Sequence, residues 1–274
     1  VLDCSKGFQG AKGNGIESTY LLTSKKTEIT YTRLGSFKGG SSFNFSYDVV
    51  PILFDPNLSS SNYYIGEPKV AITYKDRWNR TYSIECPVSV SNALTTTELN
   101  TAISRVDYLI VTNPTNLFGT YTLYGVNSLL ANMAELAKEK NGVLGYLPFG
   151  ATNTSFNRLI DARASGSDRW FLKLKDDWIS SGYLLIVGET EIVPSFTETI
   201  GFNEDGDPIN IRNCDLPYAD TASTYGTPDI SIGRIIGNSA EALLKPITAS
   251  LDIHRWGRPA FKNALVTSGG LGTW

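Results

Sequence analysis

The chain has 274 residues, of which 41% are hydrophobic and 19% are charged, a composition that indicates one large or two ordinary folded domains and excludes general disorder. Its formal net charge of -3 and the lack of any Lys/Arg cluster exclude a basic surface for nucleic acid, so we expect no nucleic-acid partner. The longest apolar runs have the length of a strand, and we expect no transmembrane segment.

The start of the chain and its polar composition bear on the cellular setting. Val1 is not an initiator Met, and no signal-like segment follows it, so we expect a processed or internal piece of a longer protein. Ser, Thr, Asn and Tyr outnumber Lys and Glu, which is common in extracellular proteins. We therefore expect an extracellular or cell-surface anchored protein.

Residues 1–92 are predicted to form an all-β domain. Polar and apolar residues alternate over residues 27–32, as they do in a half-buried strand. Two longer alternating segments, residues 69–74 and 81–90, flank the polar turn at residues 75–80. This pattern predicts a hairpin that closes a small immunoglobulin-like sandwich.

Three cysteines allow two interpretations. Cys4 and Cys86 fall on predicted strands of the N-terminal domain, and on neighbouring strands they would form a disulfide that leaves Cys214 unpaired. In the alternative, all three are buried thiols.

Residues 93–106 are predicted to be a linker with a short helix, and an α/β pattern begins at residue 107. Residues 107–112 are almost wholly apolar, which is typical of a strand covered on both faces. A helix with apolar residues at spacings of three and four follows, and its exposed face is predicted to carry Glu135, Lys138, Glu139 and Lys140. Asn141-Gly142 is expected to end it.

The alternation of strands and helices continues to the end of the chain. Further strands are predicted at residues 143–147, 183–187, 230–232 and 263–268, and further helices at residues 158–179 and 240–256. Pro246 is expected to kink the last helix or to begin a new segment. Residues 107–274 are therefore predicted to form parallel βαβ units with right-handed crossovers and helices on both faces.

Two carboxylates follow the strand at residues 183–187, where an open α/β sheet binds its ligands. Glu189 and Glu191 are candidates for an acid–base pair or a cation site. The alternative is a solvated strand end that carries two glutamates.

Residues 202–208 superficially resemble a calcium loop but lack the ligand spacing and the closing glutamate of an EF-hand. A hairpin turn that contains glycine explains them better, and Ca²⁺ held by Asp205 and Asp207 is the alternative. We expect no other cofactor, because one histidine and three scattered cysteines lack the ligand spacing of a zinc site.

The single histidine, His254, lies in a predicted helix two residues from Asp252, so the two side chains would point to different faces. The sequence places neither a Ser in a nucleophile elbow nor a Cys where it would clearly meet this imidazole. We interpret His254 as a structural or surface residue.

Three segments in order resemble the gingipain family of cysteine peptidases, which is grouped with the caspases in one clan. They are Tyr183-Leu-Leu-Ile-Val-Gly-Glu through Pro194, then Asp215-Leu-Pro-Tyr218, then Pro228-Asp-Ile-Ser-Ile-Gly-Arg234. The resemblance covers residues 107–274. It implies a caspase/gingipain-like parallel-rich sheet with flanking helices, partial and truncated at its C-terminal end.

The resemblance also bears on individual residues. In this family Gly233 would permit a close backbone approach, and Arg234 would bind a carboxylate such as Asp215 or Asp229. Family catalysis uses a His after a Gly-His-Gly-like strand end and a Cys at the next strand end. Neither motif is present, and Cys214 occupies a position that the family does not use for its nucleophile, so no catalytic residue is carried over.

Three hypotheses follow. The first is the N-terminal portion of a secreted cysteine endopeptidase, whose missing C-terminal segment supplies the catalytic pair and which acts on a protein or peptide substrate. The second is a noncatalytic surface or adhesion protein that retained the scaffold. The third is an unrelated enzyme that acts through Glu189 and Glu191. We expect the isolated chain to be inactive, and its open sheet edge to promote self-association.

Overall fold

The structure is a computed structural model that describes residues 2–32, 46–53, 64–87, 105–152, 182–206, 208–219 and 230–257, with a few single positions between these ranges. Of residues 2–6, 64–70, 86–87, 198–202 and 208–212 it describes the backbone alone. The helix predicted at residues 158–179, the strand predicted at residues 263–268 and most of the predicted linker lie outside the described residues.

The first part of the chain consists of strands. They are β1 (Leu2–Lys6), β2 (Phe8–Gly10), β3 (Ile16–Leu21), β4 (Lys26–Tyr31), β5 (Val49–Leu53), β6 (Tyr64–Lys75) and β7 (Thr81–Pro87). The predicted hairpin is present as β6 and β7, which pair antiparallel from Lys69 and Pro87 to Lys75 and Thr81.

The second part alternates strands and helices, as predicted. Its elements are β8 (Tyr108–Thr112), α1 (Pro114–Thr120), α2 (Leu123–Glu139), β9 (Gly142–Tyr146), β10 (Tyr183–Val187), β11 (Phe196–Phe202), β12 (Pro208–Cys214), α3 (Leu216–Ala219), β13 (Ser231–Ile235) and α4 (Ala240–Trp256). Side chains cap the longer helices: Thr122 accepts from Gly125 N at the start of α2, and Ser239 accepts from Ala242 N at the start of α4.

A six-stranded sheet in the order β13-β10-β8-β9-β5-β2 forms the centre of the molecule. Its strands from β13 to β5 are mutually parallel, and β2 runs antiparallel to β5. The predicted parallel-rich α/β sheet is therefore confirmed.

The N-terminal strands do not form the predicted immunoglobulin-like sandwich among the described residues. Five of them form one antiparallel sheet in the order β3-β4-β1-β6-β7, while β2 and β5 leave it and extend the central sheet, where Ile52 pairs with Leu144. Phe8 and Ile52 belong to the same buried cluster as Leu144. Strands from both sides of residue 92 therefore share one sheet.

Helix α2 lies at the centre of this core and contacts β9, β3 and α4. It is buried on nearly all sides, with Leu129, Met133 and Ala134 fully inaccessible. The prediction that Glu135 lies on an exposed face was wrong, because this residue is only 5% exposed and its carboxylate binds Arg255 of α4. The sequence pattern suggested that Glu135 faces solvent, but its charge is instead paired with an arginine of a second helix.

Two further predictions can be compared with the structure. Helix α4 continues through Pro246, so the alternative of a new segment is wrong, while the expected kink stays a prediction. Cys4 and Cys86 are not on neighbouring strands, because β6 separates β1 from β7. Two strand spacings amount to about 9–10 Å, beyond the usual Cα separation of a disulfide. Cys214 is a free thiol.

The shared core predicts how the chain unfolds. Ile52→Ala should lower the free energy of unfolding by about 2–5 kcal/mol, because it leaves a cavity beneath β5. Chemical denaturation followed by fluorescence should show one transition that shifts as a whole. Ile236→Ala is the matched control, since Ile236 is 65% exposed, and its effect should be small. Two separate transitions, of which only one responds to Ile52→Ala, would contradict the shared core.

Candidate functional site

The order of the parallel strands defines where a ligand site belongs. From β8 the chain passes to β9 on one side and then to β10 on the other, so β8 and β10 flank the point at which the strand order reverses. Ligands of doubly wound sheets bind beyond the carboxyl ends of the strands at such a point. The carboxyl ends of β8 and β10 are at Thr112 and Val187.

A tight turn, residues 188–194, begins directly after β10. Gly188 has a φ of 124°, which favours glycine, and its N–H donates to Ile235 O at 2.9 Å. Ile192 N and Val193 N both donate to Glu189 O at 2.9 Å. A Cβ atom on Gly188 would lie 2.6 Å from the Cβ atom of Ile192, so this turn requires glycine.

Arg234 of β13 holds the turn from the neighbouring strand. Its Nε and Nη2 atoms donate to the two carboxylate oxygens of Asp215 at 2.6 and 2.7 Å. Its Nη1 atom donates to Gly188 O at 2.9 Å and to Val193 O at 2.8 Å. The Arg234 side chain is only 11% exposed, so one guanidinium ties both ends of the turn to the start of α3.

The prediction that Arg234 binds a nearby carboxylate is confirmed, with Asp215 as the partner; Asp229 lies outside the described residues. The role predicted for Gly233 was wrong. A Cβ atom there would meet only Leu185 Cδ1 at 3.9 Å, an ordinary contact. The glycine that the backbone needs is Gly188, and the signal in the sequence was its position between a buried strand and a polar turn.

Three further side chains hold the turn, and sequence analysis missed their roles. Asn116 Nδ2 donates to Glu191 O at 2.9 Å and to Ile192 O at 3.3 Å. Thr112 Oγ1 donates to Val187 O at 2.8 Å, and the hydroxyl of the buried Tyr218 donates to Pro194 O. Only Tyr218 had a sequence signal, as the end of the Asp-Leu-Pro-Tyr segment.

The two candidate carboxylates differ in exposure: Glu189 is half-buried and Glu191 is exposed. Burial raises the pKa of Tyr121, and the charges of Glu189 and Glu191 raise it further. The Tyr121 hydroxyl donates to Gly237 O at 2.9 Å. The backbone of the two glutamates is thus part of a rigid turn, while their charges lie near a tyrosine, and an acid–base role for them stays a prediction.

The structure places His254 far from this turn. Its Nε2 atom lies 3.3 Å from Glu139 Oε2, and its Nδ1 atom lies 3.5 Å from Lys140 Nζ. Both neighbours are at the end of α2, immediately before β9 begins, which is the amino edge of the sheet. His254 therefore acts as a link between α2 and α4, in agreement with the structural role that we predicted.

Cys214 lies at the opposite edge. It is the last residue of β12 and precedes Asp215, the partner of Arg234 at the carboxyl end of β13. Helix α4 begins after β13 at Ala240 and reaches His254 about 20 Å further along its axis. A thiol and an imidazole at opposite edges of a sheet do not form a catalytic pair, since proton transfer needs hydrogen-bond distance.

Residues 203–206 form the turn of the β11–β12 hairpin, as the preferred interpretation predicted. Asn203 Oδ1 accepts from Asp205 N at 3.1 Å, and Gly206 adopts a φ of 85°. The described part of the chain contains no group of three or more His, Cys, Asp or Glu that could hold a metal ion. Asp207 lies outside the described residues, so Ca²⁺ binding there stays a prediction.

This geometry defines a doubly wound α/β protein with a rigid turn at the switch point of its sheet. Residues 102–272, more than half of the chain, match the sequence profile of peptidase family C25. The chain therefore belongs to this family, the gingipain family of cysteine peptidases, as the three segments predicted. A search of curated proteins and a search of solved structures found no match.

No helix within the described ranges has the length and apolar character needed to cross a membrane.

Two glycine variants test the geometry of the turn. Gly188→Ala should destabilise the protein by about 1–3 kcal/mol or more, since it combines a left-handed backbone with a clash at Ile192. Gly233→Ala is the matched control and should be close to neutral, because its added methyl group finds space. Urea denaturation of both variants measures the difference. Equal effects would contradict the account of Gly188.

The Arg234–Asp215 pair has its own test. Asp215→Ala should lower the free energy of unfolding by about 2–4 kcal/mol, because it leaves a largely buried guanidinium without its counter-charge. Asp48→Ala removes the exposed Lys138–Asp48 pair, with a 2.8 Å contact, and should cost about 0–1 kcal/mol. Urea denaturation provides both values, and a loss for Asp215→Ala no larger than that for Asp48→Ala would contradict the role of this pair.

Proposed function

We propose that these 274 residues are the scaffold portion of a secreted or cell-surface gingipain-like cysteine endopeptidase, and that residues outside them supply the catalytic His and Cys. Membership of peptidase family C25 supports a cysteine peptidase that acts on proteins or peptides. The extracellular setting is supported only by the surface composition, rich in Ser, Thr, Asn and Tyr.

One observation supports the proposal that the scaffold and the catalytic residues lie in different parts of the protein. The sequence contains a single histidine, and its side chain is held at the amino edge of the sheet by Glu139. A peptidase thiol is activated by an imidazole within hydrogen-bond distance. The position of His254 supports the proposal that a catalytic pair at the carboxyl edge takes its histidine from outside these residues.

We assign to this part of the protein the role of positioning the substrate at the carboxyl edge of the sheet. The turn after β10 is fixed by Arg234, Asn116 and Tyr218, so the carboxyl edge is rigid before any substrate binds. A preorganised edge lowers the entropic cost of aligning a peptide with a nucleophile. The turn would form one wall of the substrate site.

The isolated chain provides the first test of this function. It should hydrolyse neither casein nor a fluorogenic peptide library, and a thiol-reactive peptidyl probe should not label Cys214. Fluorescence and mass spectrometry measure these outcomes. Hydrolysis by the isolated chain, or labelling of Cys214, would contradict the proposed separation.

The longer polypeptide provides the second test. Its activity should be lost on treatment with a thiol alkylator, and kcat/KM should be unchanged in the Cys214→Ser variant. A drop in kcat/KM for Cys214→Ser would make Cys214 the nucleophile and contradict the proposal. A polypeptide without any peptidase activity would instead support the noncatalytic surface or adhesion protein.

A further inference from the structure

The inner face of the five-stranded sheet continues beyond the part that the core covers. Ile29 of β4 is buried, and the register leads from Ile29 to Leu2 of β1 and on to Val70 of β6. Because paired residues of neighbouring strands share a face and side chains alternate along a strand, the side chains of Ile72 and Tyr74 lie on the face of Ile29. The face that packs inward at one end of the sheet is therefore uncovered on the β6–β7 hairpin.

Four large side chains occupy this uncovered area, which we call the hairpin face. Ile72 pairs with Ile84 and Tyr74 pairs with Tyr82. They are 50%, 48%, 46% and 39% exposed, respectively, and the two tyrosine rings stack at 5.3 Å. A contiguous apolar patch of this kind on a protein surface usually marks an interaction site.

The tip of the hairpin is rigid. Asp76 Oδ1 accepts from Trp78 N at 2.8 Å and from Arg80 N at 3.0 Å, and Asp76 Oδ2 accepts from Arg80 Nε and from the Tyr82 hydroxyl. The guanidinium of Arg77 lies 3.9 Å from the ring centroid of Trp78. Such a hairpin loses little conformational freedom when it binds a partner.

Strand β7 is also an edge. Among the described strands it has β6 as its one sheet partner. Asp76 N donates to Arg80 O at 3.0 Å, which makes this a hydrogen-bonded pair and, by alternation, Tyr82 and Ile84 the next such positions on β7. The backbone N–H and C=O groups of Thr81, Ser83 and Glu85 therefore face away from β6.

We propose that β7 pairs antiparallel with β7 of a second copy of this chain, with a two-fold axis at Ser83. In this register Ser83 exchanges hydrogen bonds with Ser83 of the other copy, and Glu85 exchanges them with Thr81. These are the three residues whose backbone groups face outward. The dimer joins two five-stranded sheets into one sheet of ten strands and removes the β7 edge of each copy.

The hairpin face is complementary to itself in this register. Ile84 lies opposite Tyr82 of the second copy, so each cross-strand row reads Ile72, Ile84, Tyr82, Tyr74 across the four strands. Aliphatic–aromatic pairs of this kind stabilise antiparallel sheets. A shift by one residue would bring apolar side chains opposite polar ones on the other face, so the apolar residues exclude such a shift.

The charges on the opposite face are complementary as well. Glu85 is the one charged residue of β7, and Lys75 pairs with Thr81 at the end of β6. In the dimer Glu85 lies beside Thr81 of the second copy, with Lys75 of that copy next in the same row. The two-fold axis produces two such Glu85–Lys75 attractions. The long side chains of Glu85 and Lys75 can reach across the strand that lies between them. This self-complementarity is why a second copy, rather than another protein, is the occupant.

Multi-angle light scattering and sedimentation of the purified chain across a range of concentrations test the dimer. Ser83→Pro removes an outward-facing N–H and leaves the pairing of β6 with β7 intact, so it should raise the dimer dissociation constant by about tenfold or more. Ser83→Ala is the matched control and should dimerise like the parent. Far-UV circular dichroism verifies that Ser83→Pro is folded.

A charge exchange gives a second, independent readout. Glu85→Lys and Lys75→Glu should each weaken the dimer, and the double variant should recover it, because the exchange restores opposite charges in each row. A parent chain that stays monomeric up to about 100 µM overturns the proposal. So does a dimer that survives both Ser83→Pro and the single charge reversals, which would assign the contact to another edge, such as that of β13.

Discussion

The geometry of the carboxyl edge depends on the guanidinium of Arg234. A guanidinium carries five N–H donors in a fixed plane. Here four hydrogen bonds join the Asp215 carboxylate to two backbone carbonyl groups of the turn after β10. A lysine in this position has one compact ammonium group and would not match the flat, forked arrangement. The turn after β10, the start of α3 and the end of β13 therefore keep a common position only while this side chain is in place.

The molecule places a turn held by hydrogen bonds at the carboxyl edge of its sheet and the His254 imidazole at the amino edge. Its carboxyl edge is held by hydrogen bonds from side chains to backbone carbonyl groups and by the ion pair between Arg234 and the Asp215 carboxylate. Its single imidazole is used at the other edge, where it joins two helix ends together with the Arg255–Glu135 pair. The family relationship and this arrangement are compatible, because a scaffold shared by a family specifies where a site lies and not which side chains complete it.

Sequence patterns predicted the local elements well and the long-range arrangement less well. Buried strands such as Tyr108–Thr112 and Tyr183–Val187 were predicted because covered strands are uniformly apolar. The positions of β2 and β5 were not, since neither the three residues of β2 nor the five of β5 carry a pattern that specifies which sheet they join. Glu135 was assigned to solvent because a periodic pattern does not reveal that a second helix will bring an arginine to it.

The same limit applies to the site. A carboxylate partner was predicted for Arg234, with Asp215 and Asp229 as the candidates, because opposite charges near neighbouring strand ends meet often; the sequence did not choose between them. Asn116 was missed, since it binds backbone carbonyl groups in a turn that lies 75 residues away. Every residue has a backbone carbonyl group, so residue types do not identify such a partner. Gly233 was given a role that belongs to Gly188, because sequence does not distinguish a glycine with positive φ from one in an ordinary strand.

The pairing of Ile52 with Leu144 has a consequence for synthesis of the chain on the ribosome. Strand β5 emerges long before β9, so it waits without its parallel neighbour while the intervening strands and helices are translated. Contacts between distant parts of a chain form late and leave apolar strands exposed in the meantime. The nascent N-terminal region therefore needs the rest of the chain to complete its fold. A ribosome that pauses before residue 144 would hold a partly folded, aggregation-prone intermediate.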